Sequence, residues 1–267
     1  MIGFDHVRFH RAERAVLQEV SFTLKAGSVC AILGRNGAGK TTCVRLLSGE
    51  LAPSSGAVLW QGQPLKSVPR EALARRRAVL PQQSPLSFPF SVEEVAALGR
   101  FPHAADGDPA RDCALVRERL TQVGLDAPFW NRSYLELSVG ERQRVHLARA
   151  LAQVSGNAQP SVLLLDEPVA ALDLAHQHTV LNLARAFARA GNAVFAVLHD
   201  LNLAARYADR VMLLHEGRIF CDAAPADALT PENIETVFHV RADRPVFAAG
   251  QPWVFTRPLE DENACGR

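Results

Sequence analysis

At 267 residues and 48% apolar composition, the chain can bury one large domain, or a core carrying a subdomain. Its 29 Lys and Arg against 28 Asp and Glu leave a formal net charge of +1, so charge gives no case for nucleic-acid binding. No apolar run approaches the ~20 residues that span a bilayer, and Met1 to His6 lacks a basic stretch leading into an apolar one, so no secretory leader is expected.

The five cysteines (Cys30, Cys43, Cys113, Cys221, Cys265) are scattered without a C-x-x-C pair. An odd count without a framework suits reduced thiols in the cytosol. Cys30 and Cys43 are expected to pack as small apolar residues.

In chain order, residues 3–25 predict short strands around a polar turn from Arg11 to Arg14. His6 to Phe9 alternates and Val20 to Leu24 alternates again, which reads as an antiparallel β-layer. Phe9 is read either as a ring for stacking on an adenine or as a buried strand aromatic. Ser28 to Leu33 is a β-forming apolar run. It leads into Gly34-Arg35-Asn36-Gly37-Ala38-Gly39-Lys40-Thr41-Thr42, and Cys43 to Ser48 then reads as helix up to Gly49. The middle stretch fits G-x-x-x-x-G-K-[ST], the phosphate-binding P-loop, in its strand-to-helix context. Glycines let backbone N–H groups turn inward around phosphate oxygens, and the helix N-terminus adds a positive dipole end. Lys40 is expected to reach the β- and γ-phosphates and the Thr41 hydroxyl to ligate Mg²⁺.

Pro53 to Gly56 predicts a turn, Ala57 to Trp60 a strand and Gln61-Gly62 a second turn. Residues 70–76 predict a short helix, with Arg75-Arg76-Arg77 as its solvated face. Ala78 to Leu80 is a strand that delivers Gln82. Residues 84–155 read as helical. Ser91 and Glu94 make a capping box, with Phe90 and Val95 as a staple, so a helix runs from Val92 to near Gly99. Phe101 to Pro109 reads as loop, and 110–123 as helix capped by Gly124. Ser138 and Glu141 form a second capping box ahead of a helix with Val145, Ala148, Leu151 and Ala152 on one face.

Val162 to Leu165 predicts a strand buried on both faces, ending in Asp166-Glu167. A long helix follows Ala171-Leu172-Asp173 and stops at Gly191. Val194 to Leu198 is another buried strand, ending at His199. A short helix and a hairpin around Glu216-Gly217 come next, and the last forty residues read as an appendage. Alternating strands and helices imply a doubly wound, mainly parallel sheet. The P-loop, Gln82, Asp166-Glu167 and His199 each follow a strand, so they should share the ligand-binding edge. Asp166 is placed to hold Mg²⁺ and Glu167 to orient or deprotonate an attacking water. His199 can hydrogen-bond a γ-phosphate, and Gln82 can touch Mg²⁺ or water. His176 and His178 project about 200° apart on a helix and do not share one ion.

Together these motifs resemble the nucleotide-binding subunit of an ATP-binding-cassette transporter, over nearly the whole chain. The resemblance equates Gln82 with the Q-loop, Leu137 to Gln143 with the signature, Val162 to Asp166 with Walker B, Ala171 to Asp173 with the D-loop, and His199 with the switch histidine. It also matches Phe9 to the adenine-stacking aromatic. It implies an α/β P-loop NTPase core (1–83 and 156–225) with an N-terminal antiparallel β-layer, an inserted helical subdomain (84–155) and an appendage (226–267). ATP and Mg²⁺ would be its ligands. Two subunits would sandwich two ATPs, with Ser138 and Gly140 of each facing the other's nucleotide. Val139 departs from the usual Leu-Ser-Gly-Gly, which implies retained, if weakened, activity. The finer resemblance is to importers of iron chelates, haem and cobalamin, with haem closest. A separate membrane-spanning permease dimer, docked on Gln82 to His103 through Phe88, Pro89 and Phe90, would hold the chain on the cytoplasmic face of the inner membrane. A periplasmic binding protein would feed the permease.

Overall fold

The computed structural model describes residues 1–82, 86–106, 108–243, 246–248 and 251–258. Strands β1 (Ile2–Arg11) and β2 (Arg14–Leu24) form the expected antiparallel hairpin, and β4 (Ser55–Trp60) and β5 (Gln63–Pro64) complete a sheet of order β2-β1-β4-β5. The second sheet holds β3 (Ser28–Leu33), β6 (Arg77–Leu80), β7 (Val162–Asp166), β8 (Ala193–Val197), β9 (Arg210–His215) and β10 (Arg218–Ala223) in the order β10-β9-β3-β8-β7-β6. All its neighbours pair in parallel except β9 with β10.

The apolar runs explain this layering. Every residue of β7 and β8 is buried, so successive side chains must serve opposite faces of the sheet. Cys30, Ile32, Val162, Leu164 and Phe195 pack toward the β-layer and α1 (Lys40–Leu47). Ala31, Leu33, Leu163, Leu165 and Val194 pack toward the helical side. Phe195 is fully buried and stacks on Phe22 of β2 with ring centroids 5.8 Å apart, joining the two sheets. Phe195→Ala should therefore destabilise the fold by about 3–5 kcal/mol. Urea unfolding is the check, and an unshifted midpoint would contradict this packing. Cys30 and Cys43 are buried as expected, and burial pushes both thiols up to about 12.

The helical segment contains α3 (Val92–Ala97), α4 (Pro109–Gln122), α5 (Ala127–Trp130) and α6 (Val139–Gln153). Both predicted capping boxes form, on Ser91 with Glu94 and on Ser138 with Glu141. Helix α6 is enclosed further round than its pattern predicted, since Arg144 and His146 are buried along with the apolar stripe. Beyond it, α7 (Leu174–Arg189) is capped by Asp173 and α8 (Leu201–Tyr207) by Asp200.

Two expectations need correction. Phe101 to Asp106 is no loop, because α3 continues as a 3₁₀ helix over Leu98–Asp106 that accommodates Pro102. The Arg75-Arg76-Arg77 run is not a solvated face. Arg75 Nε donates to the Pro102 carbonyl at 3.0 Å, and Arg76 donates to the Pro160 carbonyl and lies 5.3 Å from the Trp60 ring centre. Arg77 is half-buried, and that burial lowers its pKa to about 10. The C-terminal residues pack on the core. Helices α9 (Pro225–Ala228) and α10 (Pro231–Phe238) bury Ala228, Leu229, Ile234 and Val237 in the helical-side core. Beyond them, β11 (Val240–Ala242) pairs with β14 (Thr256–Pro258) and β12 (Val246–Ala248) with β13 (Gln251–Trp253).

Candidate functional site

The C-terminal ends of four parallel strands deliver the site. Strand β3 runs into the P-loop, β6 into Gln82, β7 into Asp166-Glu167 and β8 into His199. A cleft of about 580 Å³ lies there, lined by Asn36, Gly37, Gly39, Lys40, Thr41 and Thr42 together with Gln82, Glu167 and His199. The sequence therefore placed one shared edge correctly.

The loop geometry demands its glycines. Gly39 precedes α1 at φ 109°, and a Cβ there would lie 2.8 Å from Leu17 Cδ2. A Cβ on Gly34 would meet the Leu214 carbonyl at 2.3 Å. The helix starts at Lys40, earlier than the Cys43 expected, so its unpaired N–H groups open onto the loop. Lys40 Nζ donates to the Gly34 and Arg35 carbonyls at 2.7 and 3.0 Å. Burial lowers the Lys40 pKa, opposed by the charges of Glu167 and Asp166.

The acidic pair divides by environment. Asp166 is buried and accepts a 3.2 Å hydrogen bond from Thr41 Oγ1. Desolvation raises its pKa, against the lowering effect of that bond. Glu167 takes the left-handed conformation at φ 54°, which costs a non-glycine residue roughly 1–2 kcal/mol. That turn sends its carboxylate between two partners: Gln82 Nε2 at 2.9 Å on one oxygen and His199 Nε2 at 2.7 Å on the other. Gln143 of α6 donates to the Glu167 carbonyl at 3.0 Å, tying the helical segment to this strand end. The motif reading had left Gln143 without a separate role.

Ser138 and Gly140 are not among the described residues that line this cleft. They stand at the start of α6, where Ser138 is exposed and Val139 is 69% exposed. Val139 begins the helix without positive φ, so the departure from glycine carries no backbone strain. Gly140 is different, because a Cβ there would lie 3.1 Å from the Ala171 carbonyl. Phe9 is half-buried against the β-layer core and also lies outside the lining. Arg11, Arg14 and Val16 also line the cleft. The sequence marked Arg11 to Arg14 only as a polar turn.

His176 bonds Asp173, and His178 bonds the Tyr207 hydroxyl, so each is satisfied separately. Among the described residues no cluster of three or more His, Cys, Asp or Glu is arranged to hold a metal. No described helix is long and apolar enough to cross a membrane.

Comparisons agree with this site. The family profile described as ABC transporter matches residues 17–170. The chain is 52% identical to the hemin import ATP-binding protein HmuV of Deinococcus radiodurans, over 85% of both chains. It is 47% identical to HmuV of Rhodopseudomonas palustris, over 93% of this chain and 92% of that one. A solved metal-chelate type ABC transporter in an inward-facing conformation superimposes with a TM-score of 0.78 at 26% identity, covering 97% of each chain. A dimeric bacterial ABC transporter cassette gives 0.73 at 25% identity over 84% of this chain and 99% of that one. A P-loop whose lysine and threonine face a strand-end Asp-Glu pair, in a chain this similar end to end, leaves one assignment: the protein belongs to the ABC transporter family, as an ATP-binding, ATP-hydrolysing subunit.

Proposed function

We propose that the chain couples ATP hydrolysis to the import of hemin across a bacterial inner membrane. The supporting observation is its 44–52% identity to proteins named as hemin import ATP-binding subunits, over most of both chains. In this reading residues 34–42 hold the triphosphate, with Lys40 as the cation on the β- and γ-phosphates. Glu167 is the base toward water, and Gln82 and His199 hold its carboxylate. His199 also reports loss of the γ-phosphate.

The oxygen donors suit Mg²⁺: the Thr41 hydroxyl beside the Asp166 carboxylate, with the Gln82 amide across the cleft. These three would hold the ion. Bound there, it neutralises charge on the phosphates. The buried Asp166 carboxylate, raised in pKa by desolvation, is a site where a cation is favourable.

Each site is shared between two copies of the chain. Ser138 and the Gly140 N–H of one copy face the γ-phosphate on the other, which accounts for an exposed, capped helix start outside its own cleft. A permease dimer, a separate polypeptide, docks at Gln82 to His103. Phe88 and Phe90, 67% and 38% exposed, offer it an apolar contact, with Pro89 between them. A periplasmic binding protein supplies that permease. Residues 1–225 act as the nucleotide-binding unit, with 84–155 as its helical subdomain, and 226–267 as an appendage to it.

Proteoliposomes holding this chain with its permease test the cargo. ATP-dependent uptake of hemin is expected. Uptake of a ferric siderophore or cobalamin without hemin would overturn the assignment. The same pair tests localisation: the chain should fractionate with membranes only when the permease is co-expressed. Stable membrane association of the chain alone would count against this placement.

A further inference from the structure

Strand β8 ends at Val197 and α8 begins at Leu201, so His199 sits in a short link between sheet and helix. Its N-terminal side is fixed, because the buried Leu198 donates its N–H to the Ile32 carbonyl at 3.2 Å. Its C-terminal side depends on where α8 starts. A helix of seven residues is too short to persist by itself, so its place comes from what holds it. Asp200 caps it, accepting from the N–H groups of Asn202 and Leu203 at 2.7 and 2.9 Å. Leu203, Ala204, Ala205 and Tyr207 are buried in the helical-side core.

Asn202 adds a hold from the far end of the chain. Its Oδ1 accepts the Val254 N–H at 2.7 Å, and its Nδ2 donates to the Val254 carbonyl at 3.2 Å. Val254 lies between β13 and β14, outside both of their ladders, so the side-chain amide stands where a neighbouring strand would. The Val254 side chain is buried in the same core as Leu203, Ala204 and Ala205, and β13 packs against α8 and α9. Water can satisfy a polar side chain on a first helical turn. Here that side chain instead joins backbone 52 residues away, and its loss would strip this partner from a donor and an acceptor at once.

We infer that Asn202 is a positioning residue for ATP hydrolysis: by tying the start of α8 to the C-terminal strand at Val254, it sets where His199 meets the γ-phosphate. The inference rests on the reading of His199 given above. It makes the C-terminal segment a determinant of the hydrolytic rate, although neither Asn202 nor Val254 lines the cleft.

The test compares Asn202→Ala with Val237→Ala in the full chain. The second variant trims the same core on α10 and leaves the Asn202–Val254 contact in place. In complex with the permease, Asn202→Ala should lower kcat roughly 3- to 30-fold, with ATP affinity by calorimetry unchanged. In the chain alone, the imidazole signal of His199, assigned by its loss in His199→Gln, should shift in the NMR spectrum of Asn202→Ala. Val237→Ala should lower the melting temperature but leave kcat and the His199 signal as in the parent. Unchanged kcat in Asn202→Ala overturns the inference, and so does an unmoved His199 signal. An equal loss of kcat in Val237→Ala also overturns it, because the rate would then follow stability rather than this contact. His199→Ala is measured alongside. Parental hydrolysis in that variant would remove His199 from the reaction itself, a failure distinct from that of the Asn202 tie.

Discussion

Replacing Glu167 with Gln is expected to cut ATP hydrolysis by roughly 10²–10⁴ while ATP still binds. The variant keeps the shape of the side chain and one of its acceptors, so the contacts with Gln82 and His199 can persist in altered form. It loses the carboxylate that can take a proton from water. The backbone cost of the left-handed turn at Glu167 is the same for Gln, so folding should be little affected. That cost makes sense only if the side chain must point into the cleft. The expected product is an ATP-loaded dimer that stays closed. Single-turnover and steady-state hydrolysis of the purified complex are the readouts. Near-normal turnover would remove Glu167 from the role of base.

Lys40→Ala should have the second large effect, on binding. Its ammonium is buried, and it bonds the Gly34 and Arg35 carbonyls. A charged hydrogen-bond donor to a phosphate contributes about 1.5–3 kcal/mol. Removing it should weaken ATP binding roughly 10- to 100-fold. Melting temperature without nucleotide separates this from misfolding, and calorimetry with ATP gives the affinity. Unimpaired ATP affinity in a folded Lys40→Ala chain would show that the ammonium does not hold the phosphates.

Much of the fold was readable because its signals are local. The continuous apolar runs of β3, β7 and β8, the two capping boxes and the turn glycines each act within a few residues. The site was readable because strand-end residues in a parallel sheet must gather on one edge. What the sequence withheld depends on distant partners. Arg76 is held by the Pro160 carbonyl and the Trp60 ring, neither of which a charge run predicts. The 3₁₀ stretch at Leu98–Asp106 forms despite Pro102 because Arg75 and α6 pack against it. Helix α10 looked weak by pattern, yet its buried face lies on the core of another element.

In the proposed dimer, one ATP is served by Lys40 of one copy and Ser138 of another. Ser138→Ala removes a helix cap, at a cost of about 0.5–2 kcal/mol, so each variant's folding is verified first. The decisive measurement is ATP-driven dimerisation in a mixture of Lys40→Ala and Ser138→Ala chains. A mixed dimer holds one site with both defects and one with neither. Shared sites predict that dimerisation partly returns in this mixture, and that a doubly substituted chain mixed with the parent, which has only half-defective sites, shows no such intact site. If mixed dimers form and the mixture still behaves as the average of its two homodimers, the shared site is contradicted.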